Sequence, residues 1–82
     1  MPKNGTSVQP LMQLGMLIRL HRMRRGLSQK QLAQLAGIRN NTLSRYELGR
    51  RDPNFTALYR IANALGMSVS ELLRFDSVEL HL

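Results

Sequence analysis

Short helical segments that end at single glycines run through the 82-residue chain and leave little room for any other fold. Apolar residues recur at spacings of three and four, the period of an amphipathic helix, from about residue 10 to residue 25. Gly26 ends that segment, and Gly37, Gly49 and Gly66 end three further segments. The pattern predicts an all-α fold of five helices in one domain, with a small core.

Residues that commonly begin helices stand in front of three of these segments. Ser28 and Gln31 have capping-box spacing, in which the serine hydroxyl accepts from a first-turn N–H and the glutamine side chain bonds back to the serine N–H. Ser68 and Glu71 repeat that spacing, and Asn54 suits an N-cap. The signals therefore place the starts of helices two, four and five.

The core is predicted from the apolar face of each helix. The inward residues are Leu11, Leu14, Ile18 and the core-edge His21 on helix one, Leu32, Ala33 and Ala36 on helix two, Leu43, Tyr46 and Glu47 on helix three, Phe55, Leu58, Ile61, Ala62 and Leu65 on helix four, and Leu72 and Leu73 on helix five. Ile38 is expected to fill the corner between helices two and three. Beyond residue 73, apolar and polar residues alternate, which predicts a short C-terminal strand.

Basic residues are concentrated in the first part of the chain, and the whole chain carries a net charge of +7. Residues 1–51 hold ten basic side chains and one acidic one, whereas residues 52–82 hold two basic and four acidic ones. This asymmetry predicts a polyanionic partner for the first part, with nucleic acid favoured over an anionic membrane surface. A solvated basic face that only aids solubility is the alternative.

The sequence carries no pattern typical of an enzyme, a secreted protein or a membrane protein. It has no cysteine, no metal-ligand spacing, no catalytic triad pattern and no phosphate-binding glycine loop, so we expect neither catalysis nor a cofactor. The first residues lack the apolar run of a signal peptide, and no stretch is long and apolar enough to span a membrane. A cytoplasmic protein is expected.

Residues 29–48 have the form of a helix-turn-helix unit, two short helices joined at a glycine turn. Residues 14–73 closely resemble the phage repressor and Cro-like regulators of the Xre family. The likeness is carried by Leu27-Ser28-Gln29, Leu32-Ala33, Ala36-Gly37, Thr42-Leu43-Ser44-Arg45, Glu47, Gly49, Arg51, Pro53 and Ile61-Ala62-Asn63-Ala64-Leu65-Gly66. It implies a five-helix, lambda-repressor-like domain that binds double-stranded DNA at an operator, usually as a homodimer. His21 departs from it, because the family usually has an apolar residue there.

Helix three is expected to read DNA bases, and its flanks are expected to contact phosphates. The candidate base-contacting residues are Arg39, Asn40, Asn41, Ser44 and Arg45, and the candidate phosphate-contacting residues are Gln29, Lys30, Arg50 and Arg51. Arg24 and Arg25 are weaker phosphate candidates. Arg39 stands where the family commonly has Ser or Thr, so Asn40 has either a capping or a base-reading role.

Glu47, the only acid among residues 1–51, is expected on the inward side of helix three. Arg22 lies near the core edge of helix one. The resemblance implies a salt bridge between them that fixes helix three against helix one without touching DNA.

Helix one carries a second apolar stripe, opposite its core face. Met12, Met16, Leu20 and Met23 lie within about 80° of arc around the helix, and one small core cannot bury both stripes. The tail offers a partner surface in Phe75, Val78, Leu80 and Leu82. These residues predict a homodimer interface, unless the tail folds over its own helix one or the dimer forms only on DNA.

The sequence therefore predicts a transcription regulator, most simply a repressor. Its expected parts are a flexible N-terminal arm at residues 1–9, a DNA-binding domain at residues 10–73 and a dimerisation tail at residues 74–82. Two alternatives stay open: an antitoxin whose tail binds a toxin, and a protein-interaction adaptor that does not bind DNA.

Overall fold

The five-helix architecture is confirmed in a computed structural model, which describes residues 9–74. The helices are α1 (Pro10–Arg24), α2 (Gln29–Ala36), α3 (Asn40–Glu47), α4 (Phe55–Ala64) and α5 (Val69–Leu72). No strand occurs in this part of the chain, and none of its helices is long and apolar enough to cross a membrane. The predicted C-terminal strand and most of the predicted N-terminal arm lie outside the described residues.

The helices pack around one core to which all five contribute. Helix α1 packs against α3, α2 packs against α3 and α4, and α5 packs against α4 and α1. The fully buried large side chains are Leu17, Ile18, Leu32, Leu43, Ile61, Leu65 and Leu72. Because α3 contacts both α1 and α2, its inner face is fixed by two neighbours while its outer face stays open.

The predicted helix starts are confirmed by their hydrogen bonds. Ser28 Oγ accepts from the Gln31 N–H at 3.0 Å, and Gln31 Oε1 accepts from the Ser28 N–H at 2.8 Å. Ser68 and Glu71 make the same reciprocal pair at 3.0 and 2.8 Å. Asn54 Oδ1 accepts from the third N–H of α4 at 2.8 Å. Each cap satisfies donors that the helix itself leaves without partners.

Phe55 was predicted to be a core residue and this is wrong, because its side chain is 68% exposed. Each step of three residues rotates about 60° back around a helix, so Phe55 lies about 120° from Ile61. Ala57 precedes Ile61 by one turn of four residues, lies within about 40° of it, and is buried in its place. Leu73, also assigned to the core, lies just past α5 and is 37% exposed.

Helix α1 crosses α3 at a glycine that the sequence pattern did not single out. A Cβ atom added at Gly15 would lie 2.5 Å from the carbonyl oxygens of both Tyr46 and Glu47. Those are backbone atoms, so they cannot rotate away as a side chain would. The two helices therefore meet backbone to backbone, and the position of α3 depends on the missing side chain.

Replacing Gly15 with alanine should destabilise the fold by about 1–3 kcal/mol because the added methyl group forces the two backbones apart. Urea unfolding of Gly15→Ala and the wild type would measure the difference. Arg19→Ala, an exposed change in the same helix, is the control and should stay within about 0.5 kcal/mol. A Gly15→Ala variant as stable as the wild type would contradict the close crossing, since alanine on its own favours helix.

Candidate nucleic-acid interface

The turn between α2 and α3 has the conformation that its glycine predicts. Gly37 adopts φ 70° and ψ 33°, the left-handed region, and ends α2 directly before the chain turns into α3. Ile38 is half-buried and packs against the core at this corner. On α3, Leu43, Tyr46 and Glu47 are buried as predicted. The remaining positions of α3 are thereby directed away from the core.

The predicted base-contacting residues lie together at the beginning and on the outer face of α3. Arg39, Asn40, Asn41 and Arg45 are exposed, and Ser44 is half-buried. Arg39 is the N-cap residue, with extended backbone and no side-chain capping bond, and Asn40 is the first residue of the helix. The capping role considered for Asn40 is therefore wrong, and its amide is left on the surface with the other candidates.

The predicted phosphate-contacting residues lie at the two ends of the helix-turn-helix unit. Lys30 is exposed in the first turn of α2, beside the half-buried Gln29. Arg50 and Arg51 are exposed just after α3, where the Arg50 N–H donates to the Arg45 carbonyl at 2.9 Å. That bond places the two arginines on a chain segment folded back against the end of α3. Their contacts with DNA stay a prediction.

Arg25, one of the weaker phosphate candidates, is exposed at the end of α1 and lies close to Gly66. A Cβ atom added at Gly66, just beyond α4, would lie 3.0 Å from Arg25 Nη1. A guanidinium near the C-terminus of α4 interacts favourably with the partial negative charge of that helix end.

One carboxylate joins the elements of the interface. Arg22 Nε donates to Glu47 Oε2 at 2.7 Å, and Arg22 Nη2 donates to Glu47 Oε1 at 3.1 Å, so the guanidinium binds the carboxylate with two nitrogens. Arg22 Nη1 also donates to the Leu27 carbonyl at 2.8 Å. The side chains of Arg22 and Glu47 are only 12% and 2% exposed. The salt bridge implied by the family resemblance is present, and it ties α3 to α1 and to the turn before α2.

Gln29 belongs to the same network through a bond that was not predicted from the sequence. Its Nε2 donates to Glu47 Oε1 at 2.9 Å. The sequence did carry one signal for this bond. A buried carboxylate has about four lone-pair sites and one arginine does not fill them, so Glu47 needed a second donor. Gln29 therefore has a structural bond on one side of its amide in addition to the predicted phosphate contact.

His21 lies half-buried at the edge of the core, as expected, and its Nε2 is buried without a hydrogen-bond partner. Burial, together with the charges of Arg24 and Arg25, lowers the pKa of His21 below its ordinary value. The neutral imidazole is thus the form that suits this position. Within residues 9–74, no cluster of histidine or acidic side chains has the arrangement of a metal site.

Arg22 and Glu47 should be coupled energetically, because removing either side chain would leave the charge of the other buried and without its partner. Arg22→Ala and Glu47→Ala should each cost about 3 kcal/mol of unfolding free energy, and the double variant should lose clearly less than the sum of the two. Chemical denaturation of the four proteins measures this cycle. Strict additivity would mean that the two charges do not stabilise each other.

Together, a short helix, a glycine turn and a second short helix with a polar, basic outer face define a helix-turn-helix domain. The helix-turn-helix family profile matches residues 18–72, and the chain belongs to this family. It is 37% identical over 67 residues to the HTH-type transcriptional regulator ImmR of Bacillus subtilis, covering 82% of this chain and 53% of that protein. It is 33% identical over 63 residues to an HTH-type transcriptional regulator of Archaeoglobus fulgidus, covering 77% of this chain and 90% of that one.

Solved structures show the same fold. The restriction-modification controller protein C.AhdI from Aeromonas hydrophila is similar with a TM-score of 0.75 and 32% identity, over 76% of this chain and 94% of that chain. The DNA-binding domain of the P22 c2 repressor is similar with a TM-score of 0.72 and 30% identity, over 77% of this chain and 83% of that chain. The fold is therefore the lambda-repressor-like arrangement that the sequence resemblance implied.

Proposed function

We propose that this protein is a sequence-specific transcription regulator that inserts α3 into the major groove of double-stranded DNA. The observation that carries the proposal is the two-sided character of α3, whose inner face is buried against α1 and α2 while five polar or basic candidates occupy its start and outer face. A rigid helix that projects donors and acceptors is the usual means of reading base edges. Repression by covering a promoter is the simplest mode of action.

Base recognition is assigned to the exposed side chains of α3. Arg45 can donate two hydrogen bonds to one guanine, and Asn40 or Asn41 can pair with adenine, each good pair being worth about 1–3 kcal/mol of discrimination. Arg39 lies at the first turn, where it can reach either a base edge or a phosphate. Ser44 is half-buried, and its hydroxyl can accept or donate a hydrogen bond at short range.

Non-specific affinity is assigned to the basic flanks. Lys30 before the recognition helix, and Arg50 and Arg51 after it, are exposed and can each release a counterion when they meet a phosphate. Gln29 contributes a neutral N–H donor. An adaptor that does not bind DNA would have no use for this arrangement and would show no salt-sensitive binding. An antitoxin would bind DNA equally, and a toxin that co-purifies with it would reveal that role.

Substitutions on α3 and after it should separate base reading from phosphate contact. Arg45→Ala should relax sequence preference at one operator position, whereas Arg50→Ala should weaken binding to all sequences and lower the salt slope by about 0.9. Selection from a random DNA pool followed by affinity titrations at several salt concentrations measures both. Arg60→Ala, an exposed arginine on α4, serves as the charge-matched control. Unchanged selection and affinity in both Asn41→Ala and Arg45→Ala would exclude α3 as the reader.

A homodimer joined through residues 74–82 is the assembly we favour for this function. Met12, Met16 and Met23 are 45%, 41% and 58% exposed on α1, while Leu20 is half-buried rather than fully available. Methionine adapts well to partner surfaces, and a patch of this kind is typical of an interface. Its proposed counterparts, Phe75, Val78, Leu80 and Leu82, lie outside the described residues.

The packing of α5 is compatible with this pairing. Helix α5 packs against α1, so the last described residue, Arg74, is two residues beyond an element that already contacts the methionine-bearing helix. Eight further residues could extend about 26 Å, which exceeds the roughly 22 Å length of a 15-residue helix. Residues 75–82 are thus long enough to span an α1 helix, either that of a second copy or that of the same chain.

Disrupting the apolar tail should shift the full-length protein towards monomer. Val78→Asp should raise the dimer dissociation constant by more than tenfold, because a charge in an apolar contact loses more than about 1.4 kcal/mol. Sedimentation equilibrium provides the measurement, and Ser77→Asp is the matched control in the same segment. A Val78→Asp protein as dimeric as the wild type would refute the tail interface, and a wild-type monomer at high micromolar concentration would refute a preformed dimer.

A further inference from the structure

We infer that His21 is a pH-sensitive element of the fold: in mild acid its protonated imidazole leaves the edge of the core and loosens the last turn of α1, which holds Arg22. The observation behind this inference is that His21 Nε2 is buried without a hydrogen-bond partner in a half-buried residue. Buried polar atoms almost always have a partner, so an exception calls for a physical explanation. The inference does not depend on the proposed function.

The position suits the neutral imidazole and not the protonated one. In the neutral form one ring nitrogen carries a hydrogen and the other has only a lone pair, so Nε2 can be buried as the nitrogen without a hydrogen. Protonation puts a hydrogen on both nitrogens and a positive charge on the ring. The buried Nε2 then needs an acceptor, which its surroundings do not supply. The charged ring therefore has to turn towards water.

The charged groups near His21 also oppose its protonation. Burial first, and then the charges of Arg24 and Arg25, lower the pKa of His21 below its ordinary value. Helices α3 and α5 pack against α1, and the carboxylates of both are already bonded, Glu47 to Arg22 and Glu71 to the Ser68 N–H. The other ionisable side chains on or directly after these two helices are Arg45, Tyr46 and Arg74.

His21 lies in the last turn of α1, where a displacement reaches the buried ion pair. The His21 carbonyl accepts from the Arg25 N–H at 3.2 Å. The carbonyl of the next residue, Arg22, accepts from the same N–H at 3.1 Å and from the Leu27 N–H at 3.2 Å. The Arg22 side chain binds Glu47 on α3. Movement of His21 therefore acts on the turn that both closes α1 and anchors α3.

The sign of the pH dependence follows from the direction of the pKa shift. In the unfolded chain His21 has the ordinary histidine pKa of about 6.5, and in the folded protein its pKa is lower. Stability is thus complete above about pH 6.5 and is lost as the pH falls below that value, because the unfolded state takes up the proton first. The pKa of Glu71 is also lowered, by its bonds to Ser68, but glutamate titrates near pH 4.3, so its effect is separate.

Thermal unfolding of the full chain at several pH values between about 7.5 and about 5.5, a range that brackets the ordinary histidine pKa, tests the inference. The Tm of the wild type should fall by about 3 °C over this range. His21→Leu keeps an apolar side chain at the core edge and has nothing to titrate there, so its Tm should stay level. His81→Leu is the matched control, because the chain has two histidines, and should keep the wild-type profile.

Hydrogen exchange of the wild type provides a second measurement that needs no variant at position 21. The protection factors of the Arg25 and Leu27 amides, which are corrected for the intrinsic effect of pH on exchange, should fall over the same range. An NMR titration of the two imidazoles identifies which histidine is protonated as they fall.

The outcomes are distinct from those that test DNA binding. A wild-type Tm that stays level, or one that falls equally in His21→Leu, would overturn the inference. So would a His21 imidazole that titrates at or above the ordinary histidine pKa. A fall in Tm with constant protection of the Arg25 and Leu27 amides would overturn the loosening of the last turn of α1. None of these measurements uses DNA, so the proposed function stands or falls separately.

Discussion

The buried carboxylate of Glu47 is the constraint on which the rest of this small domain depends. A charge that is almost wholly removed from water is tolerated only if it is paired and hydrogen-bonded, and Arg22 and Gln29 supply three donors. These donors come from α1 and from the first residue of α2, so satisfying one group on α3 fixes three helices relative to each other. The outer face of α3 is thus positioned by an electrostatic requirement inside the protein.

Much of the fold followed from local chemistry in the sequence. The caps at Ser28, Asn54 and Ser68 and the turn at Gly37 formed as predicted because each needs only residues within one helical turn. The inner face of α3 also followed from its period. The family resemblance supplied the Arg22–Glu47 pairing, which spans 25 positions and leaves no local pattern.

The rest of the fold and of the site depends on contacts between residues that are far apart in the sequence, and the periodicity of a single helix does not predict these contacts. The crossing at Gly15 and the bond from Gln29 to Glu47 arise only once α1, α2 and α3 have packed. Phe55 was misassigned because spacing by three drifts around a helix, and only the packed neighbours of α4 show where its core face ends. The site was therefore predictable as a set of surface residues with one salt bridge behind it, but the Gln29–Glu47 bond and the crossing at Gly15 were not.

In α3, the residues that pack in the core are distinct from those on the exposed face, and this affects how a protein of this kind can change the DNA sequence that it binds. Leu43 and Tyr46 are buried in the core, whereas Asn41 and Arg45 are exposed on the other side of the helix. Exchanging the exposed side chains of Asn41 and Arg45 therefore removes no buried side chain, and surface substitutions usually change stability by less than about 0.5 kcal/mol. Under the proposed function, duplicated copies of the gene could acquire new binding sequences one surface residue at a time, while the interior that keeps them folded stays unchanged.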